Sequence, residues 1–464
     1  MAATIKKIQQ LLAEETNLSP ALRSTLDVLI LVVQLLVNRL SLNSRNSSQP
    51  PSKDRFPTRD KTATDPANKP GGQTGHVGTT LKKIADPDAI EVLHVDRRTL
   101  PPGDYQAIGY ESRQVVDIDI RRVVTEYRAE ILQDQHGQRY TAAFPAHVTK
   151  AVQYGNGVKA QAIYLSQYQL IPYQWVQEQF QDQLQLPISA GSVFAFNQQA
   201  YALLEPFEQT LIAKLLQSRV LHSDETGINI AGLTQWLHCV SNSQWTLYHA
   251  HAKRGKEAMV VKGVLPYFTG ILVHDHWKPY FQFPCQHALC NAHHLRELTF
   301  AHEQEQQAWA KAMIDLLLAM QQAVAAHGGV LPEAHAAAFH TQYQALLQQA
   351  ESECPPPKPS LIPGRRGRPK RSKSRNLLDR LLNYETETLR FLTDAEVPFT
   401  NNQGENDIRM TKLQQKISGC FRSQEGADIF YRVRSYLSTC RKNQVSATQA
   451  LTLLFEGKLP DFIL

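Results

Sequence analysis

The spacing of apolar residues changes several times along the chain, and each change marks a different kind of element. Near the N terminus the apolar residues recur at alternating steps of four and three: Leu22, Leu26, Leu29, Val33, Leu36 and Leu40. This spacing predicts a helix that begins near Ser19-Pro20 and carries one apolar stripe. Such a stripe is typical of a short coiled coil that self-associates, which is the interpretation we favour slightly. The alternative is a helix that packs against its own domain.

Two weakly apolar segments follow this helix. Residues 43–88 are rich in Asn, Ser, Pro, Gly and Lys and hold too few apolar residues for a core, so we expect a disordered basic linker. In residues 89–145, Val116, Ile118 and Ile120 alternate with charged residues, which predicts a half-buried strand in a small β unit.

Residues 146–218 read as three short helices. Pro172 suits a first helical turn, Leu186-Pro187 would end the second helix, and Ser189 can cap a third helix that carries Val193, Phe196 and Asn197. Short helices joined by tight turns fit a helix-turn-helix-like DNA-binding region with the third as recognition helix. The alternative is a three-helix bundle that has only a structural role and does not bind DNA.

From Arg219 onward, apolar and polar residues alternate with a period of two, which is typical of strands. The pattern predicts a three-stranded meander, a short helix and a fourth strand, with Asp224 on the first strand and Asp275 at the end of the fourth. This order is that of a ribonuclease-H-like core, in which those two strands are neighbours. The two carboxylates should therefore converge.

Converging carboxylates repel one another unless a cation neutralises them, and their hard oxygen ligands suit Mg²⁺. Two such ions, roughly 4 Å apart, can promote an in-line phosphodiester displacement. Single Asp residues at strand ends are also common turn formers. A third acid, Glu405, opens a predicted helix on which Arg409, Lys412 and Lys416 share its face, as expected of a metal ligand beside a phosphate backbone. Glu-to-Arg pairing on an exposed helix remains the alternative.

Composition and charge narrow the class of protein. The 464 residues carry a net charge of +6, and the six cysteines are sparse, as in a reducing cytosol. The longest apolar run is too short to cross a bilayer. The segment from Gly364 to Arg375 holds seven basic residues and no acid, and the segment from Ser41 to Lys83 holds eight basic residues against three acids. Such blocks are often only solvated, flexible segments, but two of them make nucleic acid the better candidate partner. The core of the Gly364 to Arg375 segment resembles an AT-hook, although generic phosphate binding is the simpler role, and the residues concerned are Arg365, Arg366, Arg368 and Lys370.

Together these motifs resemble one known family, the bacterial DDE transposases of the insertion-sequence-sixty-six (IS-66) group. The resemblance covers most of the chain, and it rests on the order and chemistry of the motifs rather than on any one of them: "NSRNSSQPPSKD", "KPGGQTGHVG", "LHSDETG", "HDHWKPY", "CNAHHLREL", "NNQGENDIR" and "LSTCRKN". It implies that Asp224, Asp275 and Glu405 are the catalytic DDE acids. We leave Glu225 unassigned, because alternation on a strand points it to the opposite face.

The segment "CNAHH" matches a Cys-x-x-His element that follows the second Asp in several transposase families. Cys290 and His293, with or without Cys285, offer ligand atoms for zinc, but a complete structural zinc site needs four protein ligands, so we favour a structural or substrate-proximal role without zinc. Members of the family commonly carry paired zinc-binding cysteines in the region that corresponds to residues 90–140. This chain has none there.

The sequence thus predicts an α+β protein with a ribonuclease-H-like catalytic core interrupted by a mostly helical insertion. The resemblance implies a Mg²⁺-dependent (or Mn²⁺-dependent) transposase that binds the inverted repeats of its own element and its target DNA as a homodimer or higher oligomer. It also implies possible accessory proteins and a location in the bacterial cytoplasm, on the nucleoid when DNA is bound. A transposase-derived DNA-binding protein without activity is the alternative. An RNA-cleaving enzyme with the same core is disfavoured, because the helix-turn-helix-like region and the helical seam suit paired DNA ends.

The predicted regions are 1–42 (N-terminal helix), 43–88 (linker), 89–145 (β unit), 146–218 (helical DNA-binding region), 219–300 (core, first part), 301–397 (insertion with basic loop 358–376) and 398–464 (core, last part).

Overall fold

The computed structural model describes residues 18–40, 42–43, 45–47, 81–357 and 371–463, together with positions 8, 11, 12, 14 and 15. Helices and one larger sheet make the protein α+β, as the sequence predicts. The helices are α1 (Pro20–Leu40), α2 (Asn156–Ile163), α3 (Tyr173–Leu184), α4 (Ala190–Leu203), α5 (Glu205–Leu216), α6 (Lys256–Val260), α7 (Asn291–Glu305), α8 (Ala308–Ala326), α9 (Glu333–Glu353), α10 (Lys373–Asn383), α11 (Glu385–Leu389), α12 (Asn402–Ser418), α13 (Gln424–Lys442) and α14 (Ala447–Phe455). The strands are β1 (Ile131–Gln133), β2 (Arg139–Thr141), β3 (Val220–Ile230), β4 (Leu233–Ser241), β5 (Thr246–His251), β6 (Ile271–His274) and β7 (Gln286–Leu289).

The larger sheet has the strand order β5-β4-β3-β6-β7. Strands β3, β4 and β5 form the predicted antiparallel meander, whereas β6 pairs parallel to β3 and β7 pairs parallel to β6. The prediction that the first and fourth core strands are neighbours is therefore confirmed. Parallel pairing also brings the C-terminal ends of β3 and β6 to the same edge of the sheet.

Helices cover both faces of this sheet, and the alternation along β3 shows how. Leu221 packs into a core built with α2–α5, α13 and α14. Its neighbour Val220 points the other way, into a core shared with the helices between residues 291 and 392. The segment 301–397 is mostly helical, and Trp309 and Met313 of its helix α8 are part of the same core.

Edge strand β5 is covered by α13. Its backbone N–H groups at Tyr248 and Thr246 donate to the hydroxyls of Ser435 (2.9 Å) and Thr439 (3.1 Å). Free N–H groups on an edge strand invite pairing with another chain. These hydroxyl contacts satisfy two of the edge N–H groups and fix α13 against the sheet.

The helices of residues 146–218 differ in detail from the prediction. The second helix ends at Leu184 with Gln185 in the left-handed conformation, two residues before Pro187. Ser189 caps the third helix, as predicted, by accepting a bond from the Ser192 N–H at 3.0 Å. The residues that this helix was expected to carry, Val193, Phe196 and Asn197, are all buried. No Lys or Arg lies between Ala190 and Leu203, so a recognition role for this helix stays a prediction.

The predicted strand at residues 116–120 is wrong. The structure assigns it no regular element, and Val116, Ile118 and Ile120 have 52%, 80% and 54% of their surface exposed. The only pairing among described residues 81–153 is the hairpin β1–β2. Alternation stabilises a strand only when one face is buried, and within the described residues no element packs against this one.

The N-terminal helix begins at Pro20, as predicted, and Leu22, Leu29 and Leu36 on its apolar stripe are exposed. Self-association through this stripe stays a prediction. Most of the predicted linker 43–88, namely residues 48–80, lies outside the described residues, as do residues 358–370 of the basic loop. Within the described part of the chain, no helix has the length and apolar character needed to cross a membrane.

Gly270 offers a test of the β3–β6 junction. A Cβ at this position would overlap the Arg219 carbonyl and the Phe268 ring, and that same carbonyl accepts the Ile271 N–H at 2.8 Å. We expect Gly270→Ala to lower the free energy of unfolding by about 1–3 kcal/mol. Chemical denaturation measures the loss. Gly157→Ala, at an exposed helical position where a Cβ meets no atom within 4 Å, is the control and should not destabilise the protein, because Ala favours a helix more than Gly does. Equal stability of the two variants would contradict the overlap.

Candidate active site

The strand register brings Asp224 and Asp275 together. His222 of β3 lies opposite Val273 of β6, and extending this parallel register by two residues places Asp224 beside Asp275. Both side chains are partly exposed. Burial and the nearby charges of Glu225, Asp275 and Glu405 raise the pKa of Asp224 well above its ordinary value. The first two predicted site acids are therefore neighbours.

Glu405 joins them through the N-terminal end of α12. The side chain of Asn401, just before this helix, donates to the Ser223 carbonyl at 2.9 Å, and its oxygen lies 2.8 Å from Nδ1 of His222. Glu405 lies in the first helical turn. Two bonds from Asn401 to residues that directly precede Asp224 thus fix the start of α12 on β3. Sequence reasoning missed Asn401, although it lies within the quoted motif "NNQGENDIR".

The carboxylate of Asp275 has compensating contacts. Burial raises its pKa, whereas the Trp277 N–H, which donates to Oδ1 at 2.9 Å, and the charges of Arg254 and Arg380 lower it. Arg380 comes from α10, in the mostly helical segment 301–397, and forms a two-bond ion pair with Glu297 of α7, at 2.7 and 2.8 Å. This segment therefore contributes positive charge beside the acids.

Glu225 lies on the opposite face of β3 from Asp224, as expected from strand alternation. It shares that face with Ser223, and both residues contact the Tyr280 hydroxyl, which donates to Glu225. The Arg254 guanidinium pairs with Glu225 through Nε at 2.9 Å and stacks on Trp277, 4.1 Å from the ring centroid. Sequence reasoning missed Arg254; its side chain links the face of Glu225 to the loop that follows Asp275.

A second group of ligand atoms surrounds Glu405. One donor atom each of Cys290, His293 and Glu405 lies within 4.8 Å of the others. Cys285 is not part of this cluster, and Glu405 is its third member. Burial and the charges of Arg296 and Arg380 lower the pKa of His293 to about 4. Burial raises the pKa of Cys290 to about 11.

The basic face of α12 is partly engaged by the protein itself. Arg409, Lys412 and Lys416 are all exposed, and the buried residues of this helix, Gly404, Thr411 and Gln414, lie on its other side. The ammonium of Lys412 donates to the Gly227 carbonyl of β3 at 2.8 Å. Of the other predicted DNA contacts, Arg365, Arg366, Arg368 and Lys370 lie outside the described residues.

Comparison with known families decides the classification. The family model described as "Transposase IS66 family" matches residues 151–429, which span α2 to the first part of α13 and include all three acids. The chain belongs to this family. Membership confirms the resemblance seen in the sequence and makes this an IS66-family transposase chain. A second model, a family of unknown function (DUF6444), matches residues 3–82. No curated protein matches the chain.

Arg254 offers a test of how this transposase chain tolerates its buried acids. Arg254→Ala leaves the Glu225 carboxylate, whose side chain is 2% exposed, with Tyr280 as its remaining side-chain donor. We expect a loss of about 1–3 kcal/mol in the free energy of unfolding, as for a buried charged group that loses hydrogen bonds. Urea denaturation measures it. Adding Glu225→Gln should recover much of the loss because the buried charge is gone.

The matched control for this prediction is Lys253→Ala. Lys253 pairs with Glu257 on the surface, where both side chains are more than half exposed, so the change should stay within about 0.5 kcal/mol. If the double variant is no more stable than Arg254→Ala alone, the ion pair does not neutralise Glu225.

Proposed function

We propose that this protein is a DNA transposase that binds the ends of its own insertion sequence and catalyses Mg²⁺-dependent strand cleavage and strand transfer. Asp224, Asp275 and Glu405 would be the catalytic acids, on a ribonuclease-H-like core formed by the five-stranded sheet. The observation that carries the proposal is the β3–β6 register, which sets Asp224 beside Asp275. Burial raises the pKa of Asp224, and the nearby charges of Glu225, Asp275 and Glu405 raise it further. Family membership supplies the reaction class.

The donor set suits a hard divalent cation. All three side chains offer carboxylate oxygens, the ligands that Mg²⁺ and Mn²⁺ prefer. Each is partly exposed, so a phosphodiester can reach it. The charges of Asp275 and Glu405 oppose ionisation of Asp224, and a bound cation would reverse that effect. We therefore assign Asp224, Asp275 and Glu405 as the residues that would hold the ions.

Bound divalent ions would activate a hydroxyl nucleophile and stabilise the leaving oxygen of an in-line phosphodiester displacement. The protein's own part is positional. Asn401 fixes the start of α12, so Glu405 is presented at the edge where β3 and β6 end. The Trp277 N–H orients the Asp275 carboxylate. These contacts hold the ligands before DNA arrives, which reduces the entropy lost in reaching a reactive geometry.

The DNA would approach along the exposed face of α12. Arg409, Lys412 and Lys416 lie on the same side of this helix as Glu405, and their charges would neutralise phosphates next to the scissile bond. Arg365, Arg366, Arg368 and Lys370 of the basic loop would add further phosphate contacts. A homodimer or higher oligomer joined through the α1 stripe would hold two element ends together.

Asp275→Asn tests the catalytic assignment. A neutral amide is a poor Mg²⁺ ligand, so cleavage of DNA carrying the element's own ends should fall by at least about 100-fold. Mutating a residue that only supports a metal ligand already costs up to about 100-fold in activity, and the loss of a ligand itself should cost at least as much. Binding to the same DNA should be unchanged. Thermal melting without divalent ions should not fall, because the change removes one of the repelling charges.

Asp315→Asn is the control for this test, because Asp315 is an exposed residue of α8 paired with Lys311. It should cleave normally. Wild-type cleavage by Asp275→Asn would overturn the assignment. A wild-type protein that binds the ends without cutting them in either Mg²⁺ or Mn²⁺ would instead favour the transposase-derived binding protein.

The basic face of α12 gives a second test. Arg409→Ala and Lys416→Ala should each weaken binding to end DNA and to unrelated duplex about equally, because phosphate contacts position DNA but do not specify it. Each change should also reduce the slope of log affinity against log salt by about 1. Strand transfer should fall further than binding, because a displaced phosphate misses the in-line geometry. Filter binding at several salt concentrations, beside a strand-transfer assay, measures these effects.

Lys412→Ala should behave differently from its two neighbours. Its ammonium bonds the Gly227 carbonyl, so its loss should also lower the melting temperature. Lys458→Ala, an exposed residue paired with Glu456 near the C-terminal end, is the control for a general loss of positive charge. If Lys458→Ala weakens binding as much as Arg409→Ala does, α12 has no special place on the DNA path.

A further inference from the structure

We propose that Cys290, His293 and Glu405 form a second metal site, for a zinc-class ion, beside the Asp224–Asp275 pair. The site shares Glu405 with the proposed catalytic centre but does not depend on that assignment, since metal binding here is argued from ligand chemistry and position alone. This proposal replaces the sequence-based prediction that Cys290 and His293 do not bind zinc.

The first support is the state of the ligand atoms. His293 Nδ1 and Glu405 Oε1 lie 3.9 Å apart, and both are buried atoms without a hydrogen-bond partner. Buried polar atoms are normally satisfied, and each unsatisfied one costs about 1–3 kcal/mol. A cation between the two would satisfy both at once.

The second support is spacing. In a tetrahedral site with ligand distances of ~2.0–2.3 Å, neighbouring ligand atoms lie about 3.3–3.8 Å apart. The His293–Glu405 separation is already close to this range. All three ligand atoms lie within 4.8 Å of one another, so a contraction of about 1 Å around the ion would complete the set.

The third support is the rigidity of the elements. Cys290 directly precedes α7, its N–H donates to the His274 carbonyl at 3.0 Å, and its sulfur accepts the Asn401 N–H at 3.1 Å. His293 follows three residues later, on the same side of the helix start. Glu405 lies in the first turn of α12, which Asn401 fixes on β3. Ligands held on packed helices and strands are preorganised for binding.

The ligand set selects the kind of ion. A thiolate, an imidazole and a carboxylate together suit zinc, whereas Mg²⁺ binds oxygen ligands and avoids sulfur. Three protein ligands and a water molecule make an open tetrahedral site, so the lack of a fourth side chain does not exclude zinc. The thiolate and the carboxylate supply two negative charges. They offset the ion even though Arg296 lies 3.7 Å from Glu405 Oε1.

Such an ion would act on the neighbouring acids through Glu405. Binding through Oε1 would fix the orientation of this carboxylate and leave Oε2 uncoordinated at this site. It would also tie α12 to α7, and so join the two chain segments that the insertion separates. The ion would then be a positioning element for the third acid rather than a reactant.

Cobalt(II) is the probe, because a cysteine thiolate bound to it gives an intense near-ultraviolet charge-transfer band that carboxylates do not give. The purified full-length chain, freed of metal by a chelator, should bind one Co²⁺ with this band, and Zn²⁺ should displace it. Cys290→Ser should lose the band, and His293→Ala should bind Co²⁺ at least about tenfold more weakly. Cys420→Ser, a partly exposed thiol outside the cluster, is the matched control and should keep the band.

No charge-transfer band in the wild type, or a band that persists in Cys290→Ser, would overturn the proposal. If Cys290→Ser does not fold, as judged by circular dichroism, unchanged cobalt affinity in His293→Ala would overturn it instead. Asp275→Asn separates this site from the proposed function, because it should keep the band while losing cleavage. Cleavage without the band would refute only the zinc site, and the band without cleavage only the catalytic assignment.

Discussion

The parallel pairing of β3 with β6 is the contact on which the arrangement of this site depends. Three residue pairs define it, from Val220 opposite Ile271 to His222 opposite Val273, and the acids follow where the pairing ends. A shift of one residue would turn the Asp275 side chain to the other face. The register is held by cores on both faces, with Leu221 and Leu272 in one and Val220 and Val273 in the other.

Clustering half-buried acids destabilises the fold, because their charges repel one another and lose solvation. The surrounding residues limit this destabilisation. Arg254 and Tyr280 neutralise and bond Glu225 on one face. On the other face, the one hydrogen-bond donor to Asp224 among the described residues is the N–H of Glu225, at 2.8 Å, and the pKa of Asp224 remains well raised by burial and like charges. The part of the acid cluster that has not been neutralised is the part open to solvent. Sites that bind cations commonly leave their charge uncompensated in this way until the ion is present.

The helical segment between Asp275 and Glu405 belongs to the structure of the site. Its helices cover the face of the sheet on which the acids lie, and its Arg380 adds positive charge near Asp275. The chain then returns through Phe399, whose carbonyl accepts the Asn291 N–H at 3.1 Å. This contact and the bonds of Asn401 bring α12 back to the strands that the chain left 130 residues earlier (405 − 275 = 130). Glu405 therefore reaches the acids by tertiary contacts that its local sequence does not specify.

The sequence by itself determined the elements whose cause is local. The period of two from Arg219, the Ser189 cap and the apolar stripe from Pro20 all gave the right kind of element. The alternation at Val116, Ile118 and Ile120 gave the wrong one, because a strand also needs a partner, and the pattern cannot say whether a partner exists. The quoted motifs identified the family, and neighbouring strands were correctly predicted to carry Asp224 and Asp275.

Only the tertiary structure decided which distant side chains meet. Arg254 reaches Glu225 across 29 residues (254 − 225 = 29) and stacks on Trp277. Glu405, rather than Cys285, lies beside Cys290 and His293. Such contacts depend on how helices dock on the sheet, which follows from the packing of many residues together. Spacing along the chain carries information about neighbours three or four residues away, and here the partners lie far beyond that range.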